Sequence, residues 1–134
     1  MFDSIITPLL TIIAIGTGLM AGVYFAFSSF IMRSLDCLDV ANAVETMNAI
    51  NTVILRSWFI PLFFGTSLLA LLLAVLALLN WDAPHAPLSL AIGLIYCGGM
   101  FLSTLLFNVP LNNRLEQAKD DSEKNQLWPH YYKY

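Results

Sequence analysis

Charged side chains are scarce in this sequence. Only 11% of its 134 residues are Asp, Glu, Lys or Arg, whereas soluble domains average about 25%. The hydrophobic fraction is 58%, and a soluble chain of this length has too little interior to bury so many apolar side chains. A bilayer removes that difficulty, because positions that face lipid require apolar residues. The composition therefore excludes an ordinary soluble domain and indicates an integral membrane protein surrounded by membrane lipids.

Residues that hold metals or contact nucleic acids are also few. The net charge is -3, and the six basic residues form no dense cluster of the kind that binds nucleic acid. Cys37 and Cys97 belong to no CxxC pattern and are not expected to pair. His85 and His130 are predicted to lie outside the membrane core on opposite sides. The sequence therefore predicts no metal site, no haem and no nucleic-acid partner.

Three long apolar runs predict an all-α fold, an integral membrane helical bundle with three transmembrane helices. The runs cover about residues 5–32, 58–81 and 88–109, and each supplies the roughly 20 residues needed to cross a bilayer. None contains Asp, Glu, Lys, Arg or His, which argues against a proton relay or an ion pathway. Pro110 is expected to end the third helix. We interpret residues 1–134 as a single transmembrane domain with a polar tail at 110–134.

The connection between the first two spans predicts an amphipathic helix. Its apolar residues recur at helical spacing, with asparagines between them, and they are Val44, Met47, Ile50, Val53 and Ile54. Such a helix either lies in the membrane interface or caps the bundle.

The basic residues predict the orientation of the chain. They occur only in the first connection and after the third span, at Arg33, Arg56, Arg114, Lys119, Lys124 and Lys133. The positive-inside rule places both of these segments in the cytoplasm and the N-terminus outside. The predicted location is the bacterial inner membrane.

Small residues repeat every four positions along the first span, at Ala14, Gly18, Gly22 and Ala26. Such a stripe allows two helix backbones to approach closely. It serves either packing within this chain's own bundle or a contact with a second copy or a larger membrane complex.

Polar and aromatic residues concentrate in the cytoplasmic half of the spans. Tyr24 and Tyr96 are expected near the midplane, about 13 and 18 Å from the inner edge at a rise of ~1.5 Å per residue. Around the inner edge lie amide, basic and indole side chains at Asn48, Asn51, Arg56, Trp58, Asn108, Asn112 and Arg114. They form either a pocket for a flat, apolar, oxygen-bearing molecule or ordinary helix caps and interface anchors.

Four stretches carry a family resemblance: residues 18–32, 47–51, 58–59 and 107–112, the last reading Phe-Asn-Val-Pro-Leu-Asn. In that order and spacing they resemble the DUF1772 family, also called the anthrone oxygenase-like family, over nearly the whole chain. The resemblance implies a bundle of four membrane helices and an oxidoreductase that converts an anthrone to an anthraquinone with molecular oxygen, without a metal or organic cofactor. A fourth helix normally follows a segment like residues 127–134. We expect that the chain is truncated, has lost this helix or obtains it from a partner.

The same resemblance implies roles for individual residues. The reaction requires removal of a proton and stabilisation of an oxyanion. Catalytic roles are expected for Asn108, Asn112 and Tyr24, and substrate contacts for Asn48, Asn51, Trp58, Tyr96 and Arg114. His130 is the nearest side chain suited to act as a base. The alternative function is a non-catalytic accessory subunit of a larger membrane complex.

These roles predict the effect of one substitution. Asn108→Ala is expected to lower turnover of an anthrone more than it lowers the amount of protein in the membrane, because the amide acts on the substrate. Parallel measurements of activity and expression test this, and equal losses would indicate a structural role.

Overall fold

The computed structural model describes residues 2–133, and its described part is helical with no β-strand. Met1 and Tyr134, the ends of the predicted domain and tail, lie outside the described residues. The α-helices are α1 (Phe2–Ala26), α2 (Met32–Asp36), α3 (Val40–Ile54), α4 (Phe59–Leu79), α5 (Ala86–Leu94), α6 (Val109–Gln117) and α7 (Asp121–Tyr132). π-Helical segments cover Phe27–Ile31, Ile95–Leu102 and Thr104–Asn108.

Three continuous helices are long and apolar enough to cross a membrane: Ser4–Asp36, Phe59–Leu79 and Ala86–Gln117. The all-helical fold with three long apolar helices is therefore confirmed. The third helix does not stop at Pro110, contrary to the sequence prediction, but continues to Gln117. Pro110 lies just after the point where a π-helical segment ending at Asn108 gives way to α6 within this continuous helix.

Hydroxyl side chains accompany the π-helical segments. Ser29 Oγ donates to the carbonyl oxygen of Phe25 at 2.5 Å, and Thr104 Oγ1 donates to that of Met100 at 2.8 Å. Ser103 donates to the same Met100 oxygen at 3.0 Å. A π-helical turn changes the partner of each carbonyl, and these serine and threonine hydroxyls add a hydrogen bond to the carbonyl oxygens of Phe25 and Met100.

The chain packs as two compact units, each with its own core. The first unit combines α1 up to Ala21 with Pro61–Thr104. Its core cluster comprises Ile6, Leu9 and Ile13 of α1 together with Leu73 of α4. The spacing of three and four residues keeps the buried positions of α1 on one helix face.

Glycines permit close helix contacts in the first unit. A Cβ atom added to Gly93 of α5 would lie 2.7 Å from both the carbonyl oxygen of Ala70 and the Cβ of Ala74. One added to Gly16 of α1 would overlap the side chain of Thr66. By contrast, a Cβ at Gly18 or Gly22 would meet nothing within 4 Å. The contacts therefore involve Gly16 and Gly93 rather than the glycines of the predicted stripe.

The second unit contains Gly22–Ile60 and Leu105–Lys133 within the described residues. Its buried cluster comprises Leu35, Ala43, Val44, Met47, Leu115 and Trp128. The predicted amphipathic helix is α3, and its apolar face packs against α6 and α7. The segment predicted as a polar tail thus folds into helices, because Leu115 and Trp128 bury their side chains against α3.

The close contact at Gly93 predicts an effect on stability. Gly93→Ala is expected to destabilise the folded protein by about 1–3 kcal/mol, because the new methyl group meets backbone that cannot move without repacking α4. Thermal unfolding in detergent, followed by tryptophan fluorescence, measures the change.

Gly98→Ala is the matched control, since a Cβ at Gly98 meets nothing within 4 Å. Equal unfolding temperatures for the two variants would contradict the close packing of α5 on α4.

Candidate functional site

The second unit contains a cavity that apolar and polar side chains line together. It encloses about 90 Å³ between α6 and α7. Its lining residues are Leu111, Arg114, Leu115, Leu127, His130 and Tyr131. Three leucines give it an apolar wall, while a guanidinium, an imidazole and a phenol supply polar groups. A few polar groups beside a largely apolar wall can orient a small ligand.

Helical spacing explains how these residues meet. Leu111, Arg114 and Leu115 are three and four residues apart on α6, and Leu127, His130 and Tyr131 repeat that spacing on α7. Such residues share one face of their helix. The two faces oppose each other because a short connection joins the helices. Asp120 Oδ1 accepts a hydrogen bond from the Glu123 backbone N–H at 2.8 Å, which caps the start of α7.

A network of amide side chains surrounds Tyr131. Its hydroxyl donates to Asn112 Oδ1 at 2.6 Å. On α3, Asn48 and Asn51 lie one turn apart, and Asn48 Nδ2 is 3.5 Å from the carbonyl oxygen of Leu115. The structure therefore brings three predicted site residues, Asn48, Asn51 and Asn112, together beside the residues that line the cavity.

The environment of Tyr131 keeps its phenol neutral. Burial raises the pKa of Tyr131 above its ordinary value of 10.0, because the charged phenolate loses its hydration. The neighbouring Asn51 amide acts in the opposite direction and lowers the pKa, but its effect is the smaller one. Near neutral pH Tyr131 thus keeps its proton, which it donates to Asn112.

Two amide atoms of this network are buried without a hydrogen-bond partner within residues 2–133. They are Asn48 Oδ1, an acceptor, and Asn51 Nδ2, a donor. Although Asn51 influences Tyr131, its Nδ2 does not reach hydrogen-bond geometry. An unsatisfied buried polar atom destabilises a protein by about 1–3 kcal/mol. Both atoms belong to side chains of α3, which packs against the two helices that line the cavity.

Trp128 fixes the position of α7 and with it the cavity. Its side chain is only 3% exposed, and its indole Nε1 donates to Asp36 Oδ1 at 3.1 Å. Its ring stacks on that of Tyr131, with centroids 5.9 Å apart and an interplanar angle of 15°. Trp128 and Tyr131 therefore lie one turn apart on α7.

The other predicted site residues occupy varied positions. Arg114 is exposed overall and lines the cavity. Trp58 is 87% exposed, so its ring does not wall the cavity. Tyr24 is half-buried near the end of α1, and Asn108 is half-buried at the end of a π-helical segment. Tyr96 is buried in the first unit.

Tyr131 was not predicted as a site residue from the sequence. The available signal was the spacing of Leu127, Trp128 and Tyr131, which places them on one side of a helix. Because Pro129 lies inside this spacing, the segment was not predicted to be a helix, and Tyr131 was not predicted as a site residue. No group of three His, Cys, Asp or Glu side chains that could hold a metal ion occurs within the described range.

Comparison with known families gives one match. The model of a protein family described as anthrone oxygenase matches residues 55–133. The match covers α4 to α7, including every residue that lines the cavity, but it does not include residues 18–51, where part of the resemblance in the sequence lay. No curated protein and no solved structure matches the chain.

The raised pKa of Tyr131 predicts a pH dependence of stability. The unfolded chain releases the phenol proton near pH 10.0, whereas the folded chain retains it to higher pH. The stabilisation is therefore complete below pH 10.0 and lost as the pH rises through the folded value. Thermal unfolding in detergent on either side of pH 10.0 is expected to show a decline that Tyr131→Phe flattens.

Tyr132→Phe provides the control, because Tyr132 is the exposed neighbour on the same helix. A decline that persists unchanged in Tyr131→Phe would show that other groups cause it.

Proposed function

The chain belongs to the anthrone oxygenase family, and from that premise we propose that it binds a flat, oxygen-bearing aromatic ketone of the anthrone class in a membrane and promotes its oxidation by molecular oxygen. The observation that carries this proposal is the cavity of the second unit, where Arg114, His130 and Tyr131 meet three leucines. All six residues lie within the region that matches the family.

The location in a membrane rests on the three long apolar helices. Many of their side chains are exposed, among them Leu68, Leu79 and Leu88, each at least 67%. In water such a surface would aggregate, whereas in a bilayer it faces lipid. An apolar aromatic substrate partitions into the same lipid and can approach from it.

The distribution of charge supports an orientation. The second unit joins the connection after the first apolar helix to the segment after the third. These two segments hold all the basic residues, and the positive-inside rule assigns both to the cytoplasm. We place the cavity on that side and the N-terminus outside, in the inner membrane if the host is bacterial.

The proposed reaction balances with molecular oxygen as the only co-reactant. A base removes one proton from the methylene carbon opposite the ketone, and the resulting enolate is electron-rich. Its carbon forms a bond to oxygen, which is reduced to a hydroperoxide. Loss of the second hydrogen from that carbon, together with cleavage of the O–O bond, releases water and leaves a second carbonyl group. The substrate loses two hydrogens and gains one oxygen atom. The protein has to remove the proton and stabilise the negative charge of the enolate.

The polar residues of the cavity match that task. In this proposal His130 takes the proton, since imidazole is a common general base. Arg114 carries a permanent positive charge that stabilises the enolate oxygen. Asn112 is a positioning residue that holds the Tyr131 hydroxyl through a 2.6 Å hydrogen bond. We retain Asn108, Tyr24, Tyr96 and Trp58 only as predicted residues whose roles remain to be tested.

The volume of the cavity limits how the substrate binds. A cavity of about 150 Å³ holds a single benzene ring, so about 90 Å³ does not enclose a molecule with three rings. A separate open groove of about 380 Å³ shares Arg114 and Leu127 with it. In our proposal the oxygen-bearing edge enters the cavity and the remaining rings lie along the groove.

A second candidate function is that of an accessory subunit in a membrane complex. Ala14, Gly18 and Gly22 are exposed, and a Cβ on either glycine meets nothing within 4 Å. Ala26 completes this stripe at the end of α1. A smooth, open stripe of this kind fits a close contact with another membrane helix, from a second copy or from a different protein.

The catalytic proposal predicts the effect of removing the base. His130→Gln is expected to lower oxygen uptake with an anthrone by about 100-fold, the lower end of what general base catalysis contributes. His85→Gln is the matched control, because His85 is the only other histidine and belongs to the first unit. An oxygen electrode with purified protein in detergent measures both rates.

Equal rates in the two variants would remove His130 from the mechanism. No uptake by the unaltered protein, together with native mass spectra showing a fixed stoichiometry with other proteins, would support the accessory subunit instead.

A further inference from the structure

Four exposed side chains surround the turn between α3 and α4. Val53 is 66% exposed, Leu55 67% and Trp58 87%, and Arg56 is exposed among them. We call these four residues the turn surface. Large apolar side chains that are exposed together mark a surface that contacts a partner or a membrane rather than water alone.

Hydrogen bonds give this turn a fixed shape. Ser57 Oγ donates to the carbonyl oxygen of Ile54 at 2.8 Å, and it accepts from the backbone N–H of Phe59 at 3.1 Å. The same side chain thus closes the end of α3 and caps the start of α4. Ser57 is half-buried, whereas its neighbours on either side, Arg56 and Trp58, are exposed. The turn surface therefore belongs to an ordered turn.

The positive charge of Arg56 has no counter-charge nearby in the sequence. Residues 46–81 contain no other charged side chain, and the guanidinium forms no ion pair with any residue of 2–133. A guanidinium group presents its N–H donors in a planar fork that fits the oxygens of a phosphate. Arg56 is therefore suited to bind an anion from outside the chain.

The position of the turn in the chain indicates the source of that anion. The apolar helix Phe59–Leu79 begins directly after Trp58, and the end of a membrane helix lies among lipid headgroups, where tryptophan is enriched. A phospholipid offers a phosphate, ester carbonyls and acyl chains at increasing depth. Arg56 matches the phosphate, and the indole N–H of Trp58 matches an ester carbonyl. Leu55 and Val53 match the acyl chains.

We propose that the turn surface is a binding site for an anionic phospholipid, with Arg56 on the phosphate and Trp58 beside the upper part of the acyl chains. A zwitterionic lipid is the weaker ligand, because its own ammonium group compensates the phosphate charge that Arg56 would pair with. This inference rests on the proposed location of the chain in a membrane, but it does not depend on the proposed reaction.

Quenching of tryptophan fluorescence by brominated lipids tests this assignment on the full chain in nanodiscs. The nanodiscs contain equal amounts of anionic phosphatidylglycerol and zwitterionic phosphatidylcholine, and either one or the other carries bromine on its chains. The emission of Trp58 is the difference between the unaltered protein and Trp58→Phe. Phosphatidylglycerol is expected to be enriched about fivefold beside Trp58, the contribution of one basic residue near anionic lipid.

One variant and two controls examine the role of the charge. Arg56→Gln is expected to bring the enrichment close to one. Lys119→Gln removes a positive charge from an exposed residue in the connection between α6 and α7, and it retains the enrichment. Trp81 is exposed beyond the other end of α4, next to Asp82, and residues 57–113 contain no Lys or Arg. Its emission, isolated with Trp81→Phe, is expected to report no enrichment.

An enrichment that persists in Arg56→Gln overturns the proposal, as does an enrichment near one in the unaltered protein. Quenching of Trp81 without quenching of Trp58 also overturns it, because the turn surface then lies outside the lipid and faces a protein partner, although the location in a membrane stands. If neither tryptophan is quenched, the membrane location fails and this proposal fails with it. Oxygen uptake with an anthrone in the same nanodiscs tests the proposed reaction independently.

Discussion

The second unit depends on the burial of one indole ring. Trp128 packs among Leu35, Val44 and Met47, and its Nε1–H reaches Asp36 Oδ1. Burial of a tryptophan removes a large apolar area from water, and the hydrogen bond satisfies its only polar group. This contact ties α7 to α2 and α3. It also supports Tyr131, because the two rings stack one helical turn apart.

The long apolar helices and the amphipathic α3 could be predicted from the sequence, because hydrophobic length and periodicity are local properties. The site could be predicted only in part. Asparagines at 48, 51 and 112 were expected to act together, and the structure places Asn51 and Asn112 beside Tyr131 and Asn48 beside the backbone of Leu115. Tyr131 itself was missed because Pro110 and Pro129 make the end of the chain read as a loop. Whether that segment forms helices is decided by what Leu115 and Trp128 pack against, which is a property of the fold. A stripe of glycines likewise does not reveal which helix face meets a neighbour, and the close contacts occur at Gly16 and Gly93.

The region around the cavity contains both restrained aromatic rings and, within the described chain, buried amide atoms without hydrogen-bond partners. The Trp128 and Tyr131 rings are stacked, and two hydrogen bonds, to Asp36 and Asn112, restrain them. Next to them, Asn48 Oδ1 and Asn51 Nδ2 are buried without partners within the described chain. Stability alone would favour apolar residues of similar shape at these two positions. A site that must orient a polar edge of a ligand instead tolerates this loss of stability, because orientation requires fixed dipoles before the ligand arrives.

The bond between Trp128 and Asp36 joins residues 92 positions apart, and the intervening chain contains the second and third apolar helices. Closing so long a loop is entropically unfavourable until those helices are in place. In a membrane, two crossings return the chain to the side from which it started, and only then can the two ends meet. A chain in which either helix failed to insert would leave α3 and α7 on opposite sides of the bilayer. If both helices cross a membrane, as we propose, the cavity can therefore assemble only after both have been inserted.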